Sequence, residues 1–404
     1  MLSYFIGVAA FAVGIAVTIA LHEWGHYTAA RACGMRVRRY FIGFGPRIFS
    51  FKRGHTEYGF KAVPLGGFCD IAGMTNQDPV TPEEAPHSMM HKPWWQRIIV
   101  LLGGILMNIL VALIVLYGVA ITAGLPNNHV DTTATVGETS CVAPKQIDAA
   151  TLAPCSGAGP AAEAGLKQGD RIVAIDGQAM RSFVTVREYV QDKAGKTIAV
   201  TVDRDGSQLT LNVPVARALR LNAKGEEVSV GAIGVSSAPL KDVVLHYNAI
   251  SAVGGTLSYA GDLLGATVKG LVSFPAKIPG VAASILGGQR DQESPVSVVG
   301  ASRIGGELAQ KSLWSMFFLM LASLNFFLAL FNLIPLPPLD GGHIAVVIYE
   351  KLRDALRKAR GLEPAGPADY AKLIPLTVGV AALLMGVGAL VIIADVVNPI
   401  KLFG

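Results

Sequence analysis

Charged residues are scarce in this chain. Only 16% of its 404 residues are Asp, Glu, Lys or Arg, where a soluble domain averages about a quarter. Hydrophobic residues make up 51% and the mean hydropathy is +0.47. A wholly water-soluble globule is thereby excluded, and a membrane protein with a substantial water-exposed part is indicated. The formal net charge of +5 does not mark a nucleic-acid binder, because the Lys and Arg cluster beside apolar runs and read as topology signals. Cysteine is scarce too. There are four and no CxxC pair, which excludes a Cys-based zinc finger. The first apolar run has no basic segment ahead of it and exceeds the roughly 7–15 residues of a signal-peptide core, so it reads as a span.

Four apolar runs, at 2–21, 98–123, 313–335 and 373–396, each approach the roughly 20 residues that cross a bilayer. If they alternate, "RACGMRVRRY", "HKPWWQR" and "YEKLRDALRKARG" all fall on one side. By the positive-inside rule that side is cytoplasmic. Both termini and the stretch from 125 to 311 are then outside. Cys141 and Cys155 fall in that outer stretch, where a disulfide can form; the alternative is two free thiols.

After the first span, "EYGFKAV" alternates and "PLGGF" carries turn chemistry, which predicts β-hairpins. Strands beside two spans either lie partly in the membrane, where an open edge can accept an extended peptide, or form an ordinary cytoplasmic loop. Residues 78–92 are polar and Pro-rich and read as a linker. In "GGILMN" of the second span, Asn108 sits beside small residues; it either bonds to a neighbouring helix or merely packs. "GPAAEAGLKQGDRIVAIDG" and the following alternating strands, joined at Asp205-Gly206, predict a small α+β module. Residues 222–311 hold helical stretches and glycine-rich turns without a clear pattern.

The chemistry lies in "HEWGH" and "PLPPLDGGH". His22 and His26 are four residues apart and share a helix face. In H-E-x-x-H two imidazoles bind zinc and the glutamate, here Glu23, handles a proton of the bound water. Three ionisable groups at the end of a membrane span are costly and need a reason. A catalytic zinc site has three protein ligands. Asp340 is the best third candidate, at the same end of the third span; the alternative is a cap or turn residue. Pro335, Pro337 and Pro338 break that span. His343 reads as neighbouring the site without ligating.

"HEWGH", "PLGGF", "GGILMN", a PDZ-like "GPAAEAGLKQGDRIVAIDG" and "FNLIPLPPLDGGH" occur in this order over nearly the whole chain. The chain resembles the site-2 proteases, intramembrane zinc metalloproteases, and among them the bacterial group with an extracytoplasmic PDZ domain. The single-PDZ form with a cysteine pair is similar to actinobacterial members. The resemblance implies one zinc ion held by His22, His26 and Asp340, with Glu23 catalytic. It implies that Asn332 and Pro335 hold unwound substrate and that a re-entrant β-loop over about 40–73, with Gly66 and Gly67, pairs with it. Many relatives carry two PDZ domains and a Gly-Pro before the Asn of the second span; this chain has one such domain and "GGILMN".

The expected architecture is a polytopic α-helical membrane protein with four transmembrane helices, a membrane-associated β-hairpin loop and an extracytoplasmic α+β PDZ-like domain. Its expected segments are 1–33 (first helix with HExxH), 34–97 (re-entrant β-loop and linker), 98–124 (second helix) and 125–220 (PDZ-like domain). There follow 221–312 (outer helical region), 313–350 (third helix with LDGGH), 351–372 (basic cytoplasmic loop) and 373–404 (fourth helix and C-terminus). The expected location is the inner membrane, with the active site near the cytoplasmic face. The expected partners are the lipid bilayer and single-span membrane proteins such as anti-sigma factors, cut after a first extracytoplasmic cleavage; no nucleic acid is expected. Alternatives are cleavage of signal-peptide remnants, and a non-enzymatic PDZ adaptor. A transporter is disfavoured because no inverted repeat is visible.

Overall fold

A computed structural model describes residues 1–148, 151–222 and 225–403, with Pro64 and Leu65 described in backbone only. Ala149 and Ala150 of the cysteine-flanked loop, and Gly404 at the end of the expected fourth-helix segment, lie outside the described residues. The helices are α1 (Leu2–Ala32), α2 (Trp94–Thr122), α3 (Pro160–Glu163), α4 (Phe183–Gln191), α5 (Ser251–Ile285), α6 (Val298–Gln310), α7 (Trp314–Asn332), α8 (Asp340–Ala359) and α9 (Ile374–Val397). Among the described residues, four are long and apolar enough to cross a membrane: α1, α2, α7 and α9 with the short turn before it. The chain divides into two compact units, residues 1–125 with 246–404, and residues 126–245.

In the first unit, small residues set the distances between helices. A Cβ on Gly25 of α1 would lie 2.2 Å from the Gly103 carbonyl oxygen of α2, so the two backbones touch. This is how small residues bring apolar helices together where lipid removes the hydrophobic drive. The glycine-rich stretch that had no clear pattern in sequence includes α6, capped by Ser297. Its Gly305 and Gly306 leave no room for a Cβ against Phe11, Val8 and Tyr4 of α1.

Between α1 and α2, β1 (Val37–Arg53) and β2 (Thr56–Ile71) pair antiparallel. Several register shifts fold the pair back on itself, so Arg39–Ile42 faces Gly67–Asp70 on one side and Glu57–Phe60 on the other. The Tyr40 hydroxyl donates to the Ala20 carbonyl at 2.7 Å, pinning this sheet to α1. The polar segment at 78–92 is not a loose linker. Arg38 donates to both carboxylate oxygens of Glu84, at 2.9 and 2.8 Å, and to Asp78 at 2.8 Å. The Arg38 guanidinium holds the Glu84 carboxyl down at about 2.

The third span differs from its expected bounds. α7 stops at Asn332, and Asp340 opens a separate helix, α8, which runs through much of the expected basic loop. The intervening prolines supply no backbone donors, so α7 cannot continue. The loop lies directly over the first turn of α8: a Cβ on Gly341 would be 2.3 Å from the Leu333 carbonyl oxygen. Midway along its length α8 is tied to α2 by a buried ion pair, Arg97 Nη1 to Glu350 Oε2 at 2.6 Å. Glu350 Oε1 also accepts from the Ala368 amide at 2.7 Å.

In the second unit, Gln178–Ala179, Arg171–Ile175, Thr197–Arg204 and Ser207–Pro214 form a four-stranded sheet in that order. The Asp205-Gly206 turn has both residues at positive φ, 50° and 81°, as a two-residue hairpin with that sequence requires. Val186 and Val190 of α4 join Ile172, Ile175 and Val200 in its core. Arg204 donates to both carboxylate oxygens of Asp170, at 2.7 Å each, and holds that carboxyl below its ordinary range. Cys141 and Cys155 are joined by a disulfide. The unit extends to Leu245 and not to 220, because Glu227–Ala232 pairs with Ala216–Leu221, and Val235–Ser237 pairs with Val136–Thr139.

Candidate metal centre

His22 and His26 lie one turn apart on the face of α1 that meets α2. The loop after α7 brings Asp340, in the first turn of α8, to the same place. His22 Nε2 and His26 Nε2 are 3.2 Å apart, and each is 3.3 Å from Asp340 Oδ2. Among the described residues these three form the one group of His, Cys, Asp or Glu side chains that converges well enough to hold a metal ion.

The triangle can be tested against a metal. Ligands placed tetrahedrally at the 2.0–2.1 Å typical of zinc stand about 3.3 Å from one another. The observed edges match that spacing, and the donor set of two imidazoles and a carboxylate suits zinc. Asp340 Oδ2 and His22 Nδ1 are buried without a hydrogen-bond partner, a costly state that coordination relieves for the carboxylate oxygen. His26 Nδ1 lies 2.8 Å from the Val100 carbonyl, and donation there leaves Nε2 unprotonated toward the triangle, as metal-bound histidines commonly do.

α2 makes room for the cluster through Gly104. A Cβ there would lie 2.4 Å from His26 Nε2 and 2.7 Å from His22 Nε2. The neighbouring cavity has a volume of about 240 Å³. Glu23, Gly67, Asn332, Cys69 and Pro338 line it together with the triad. A Cβ on Gly67 would be 3.1 Å from Glu23 Cγ, so the β2 backbone lies against the glutamate. A carboxylate beside two imidazoles and an aspartate, with a strand edge along one wall, can take and return a proton next to an extended peptide.

Of the residues singled out in sequence, His22, Glu23, His26, Gly67, Asn332 and Asp340 share this cavity. Pro335 is exposed and does not line it. Gly66 is also outside; its φ of +113° and the Phe44 ring against it mark a turn that only glycine makes. His343 faces a different cavity and stacks on Tyr370, with centroids 5.9 Å apart. Sequence reasoning missed Gly104, Val100 and Cys69. The "GG" of the second span was the available signal for the first.

The family model described as Peptidase family M50 matches residues 10–374. The zinc metalloprotease Rip1 of Mycolicibacterium smegmatis is 47% identical over 404 residues, covering 98% of this chain and 99% of that protein. Rip1 of Mycobacterium tuberculosis is 44% identical, covering 98% of each chain. The metalloprotease MmpA of Caulobacter vibrioides is 30% identical, covering 87% of this chain and 88% of that protein. A solved PDZ domain of an SdrC-like protein from Listeria monocytogenes aligns with 22% of this chain and 83% of its own, at 26% identity and a TM-score of 0.16. The chain belongs to peptidase family M50 and is a zinc metalloprotease of the site-2 type.

Proposed function

We propose that this protein cuts the membrane-spanning segments of single-span proteins, with His22, His26 and Asp340 as the zinc ligands and Glu23 as the general base. The observation that carries the reading is the triangle of 3.2–3.3 Å edges with Glu23 in the same cavity. When bound, zinc supplies Lewis-acid chemistry, lowering the pKa of a water to about 7 and polarising a carbonyl. Glu23 takes a proton from the attacking water and returns it to the departing amine. A substrate helix hides its scissile carbonyl in internal hydrogen bonds. It must unwind, and the freed backbone groups need partners in a place that offers little water. The edge at Gly67–Cys69 offers a strand to pair with, and Asn332 a carboxamide. Pro335 and Gly66 act indirectly, by shaping the loop and the turn that present those groups.

In this reading the hairpin dips into the membrane from the cytoplasmic side, as its exposed Ile48, Phe49 and Phe51 favour. Both termini and the unit at 126–245, taken as the PDZ-like domain, are extracytoplasmic; the basic segments beside α1, α2 and α8 support that orientation. A disulfide in that unit suits an oxidising compartment. The outer unit excludes substrates with bulky ectodomains, which makes a first extracytoplasmic cut necessary. Anti-sigma factors are the proposed natural substrates.

The test is metal analysis of the purified full-length protein, paired with cleavage of a single-span anti-sigma-factor-like substrate. Wild type should retain zinc and cut. Glu23→Gln should retain zinc and lose cleavage. Equal cleavage by both proteins overturns the reading.

A further inference from the structure

The second span carries a buried polar side chain that the reaction above does not use. Asn108 is 1% exposed, and neither its Oδ1 nor its Nδ2 has a hydrogen-bond partner. A buried carboxamide with both ends unpaired costs several kcal/mol in an apolar interior. Such groups in folded proteins are met by ordered water when protein does not meet them.

The packing locates Asn108 relative to the metal triad. α1 and α2 run antiparallel: Ala30 clusters with Val100 and Leu101, Gly25 abuts Gly103, and His22 abuts Gly104. Asn108 is one turn beyond Gly104 on the same face, about 6 Å along the axis. That layer lies opposite Thr18, one turn before His22. Cα–Cβ bonds tilt toward a helix N-terminus, so the Asn108 side chain leans back over Gly104 toward the His22 ring. The His22 atoms against Gly104 are Cε1 and Nε2, 2.6 and 2.7 Å from a Cβ there; Nδ1, bonded to Cε1, is buried without a partner. A third orphan belongs to the same layer. Asn325 of α7 is fully buried and donates Nδ2 to Thr18 Oγ1 at 3.1 Å, and its Oδ1 has no partner.

We propose that Asn108 positions His22 through one buried water. The water accepts the His22 Nδ1–H and donates to Asn108 Oδ1 and to Asn325 Oδ1. That satisfies three orphaned atoms with the three hydrogen bonds a buried water typically makes. It gives His22 what the Val100 carbonyl gives His26: an acceptor that fixes the tautomer and turns Nε2 to the metal. The inference rests on the reading of His22 as a zinc ligand.

The test is zinc affinity, measured on the full-length protein in detergent by competition with a chromophoric chelator. Asn108→Leu, of similar size but without an acceptor, should bind zinc 10–100-fold more weakly than wild type. Asn108→Asp keeps the acceptor and should bind as tightly or more tightly. The thermal midpoint of the zinc-free protein reads folding separately, and Asn108→Leu should match zinc-free wild type. If Asn108→Leu is not recovered folded, Asn108→Val replaces it in the same titration. Wild-type affinity in Asn108→Leu overturns the proposal, as does equal weakening in Asn108→Asp. His22→Ala separates the two ideas. If it binds zinc like wild type, the ligand assignment fails; if it loses zinc while Asn108→Leu does not, only the water bridge fails.

Discussion

Gly104 of α2 and His26 of α1 stand so close that a single Cβ at position 104 would be 2.4 Å from the imidazole Nε2. The absence of a side chain there is what lets the ring reach the triad. Gly104→Ala should therefore displace one or both histidines and weaken zinc binding by at least about tenfold. Zinc content after dialysis against a chelator measures this, and full retention by the alanine variant would show that the contact is relaxed without consequence.

Gly67 approaches the other working group. A Cβ there would meet the Phe41 carbonyl oxygen at 3.0 Å and Glu23 Cγ at 3.1 Å. Gly67→Ala pushes on the proposed base and on the strand edge without touching the triad. The expected outcome is a loss of cleavage of about 10–100-fold, since small misplacements of reacting groups are costly, with zinc content unchanged. A parallel loss of zinc would instead place the damage at the histidines.

The Arg97–Glu350 pair joins the base of α2 to α8, with both side chains only 9% exposed. Glu350→Ala leaves an uncompensated buried guanidinium and removes the acceptor for the Ala368 amide. Losing one partner of a buried pair costs about 3–5 kcal/mol. Denaturant unfolding in detergent should show a loss of that size for Glu350→Ala. An unchanged midpoint would mean that water reaches the pair.

Acid should loosen the segment at 78–92 by protonating Glu84. Glu84 is held near 2 by Arg38, against about 4.3 for an unperturbed glutamate. Its folded pKa is the lower one, so its contribution is fully present above about pH 4.3 and is lost as pH falls toward 2. The difference in thermal midpoint between wild type and Glu84→Gln should be constant above pH 5 and shrink below it. A difference that does not vary with pH would rule out the ion pair as its source.

Much of the centre was legible because the chemistry imposes spacing. Two histidines four residues apart declare a helix face, and an aspartate after a proline-broken span has few other uses in a membrane. The four spans were legible from length and apolarity alone. Gly104 was not, because a glycine beside a glycine in an apolar helix reads only as small. The helix α6 was hidden for the same reason: Gly305 and Gly306 lower helix propensity, and only the Phe11, Val8 and Tyr4 side chains of α1 packed against them explain their presence. The boundary of the second unit was missed because Glu227–Ala232 pairs with a strand already counted, and pairing partners do not show in local pattern. Asp340 was expected at the end of the third span but opens a separate helix beside the two histidines, since nothing in "PLPPLDGGH" says that a new helix begins there.

That new helix has a consequence for how the protein is made. His22 and His26 leave the ribosome with the first span, and the aspartate that closes the triangle follows only after α2, the second unit, α5, α6 and α7 have been synthesised. During that interval only two of the three proposed ligands exist. With the proposed ligand set, capture of the ion waits until α8 is laid against α2, so loading belongs among the last steps of assembly, and a nascent chain stalled before Asp340 would be an inactive protease.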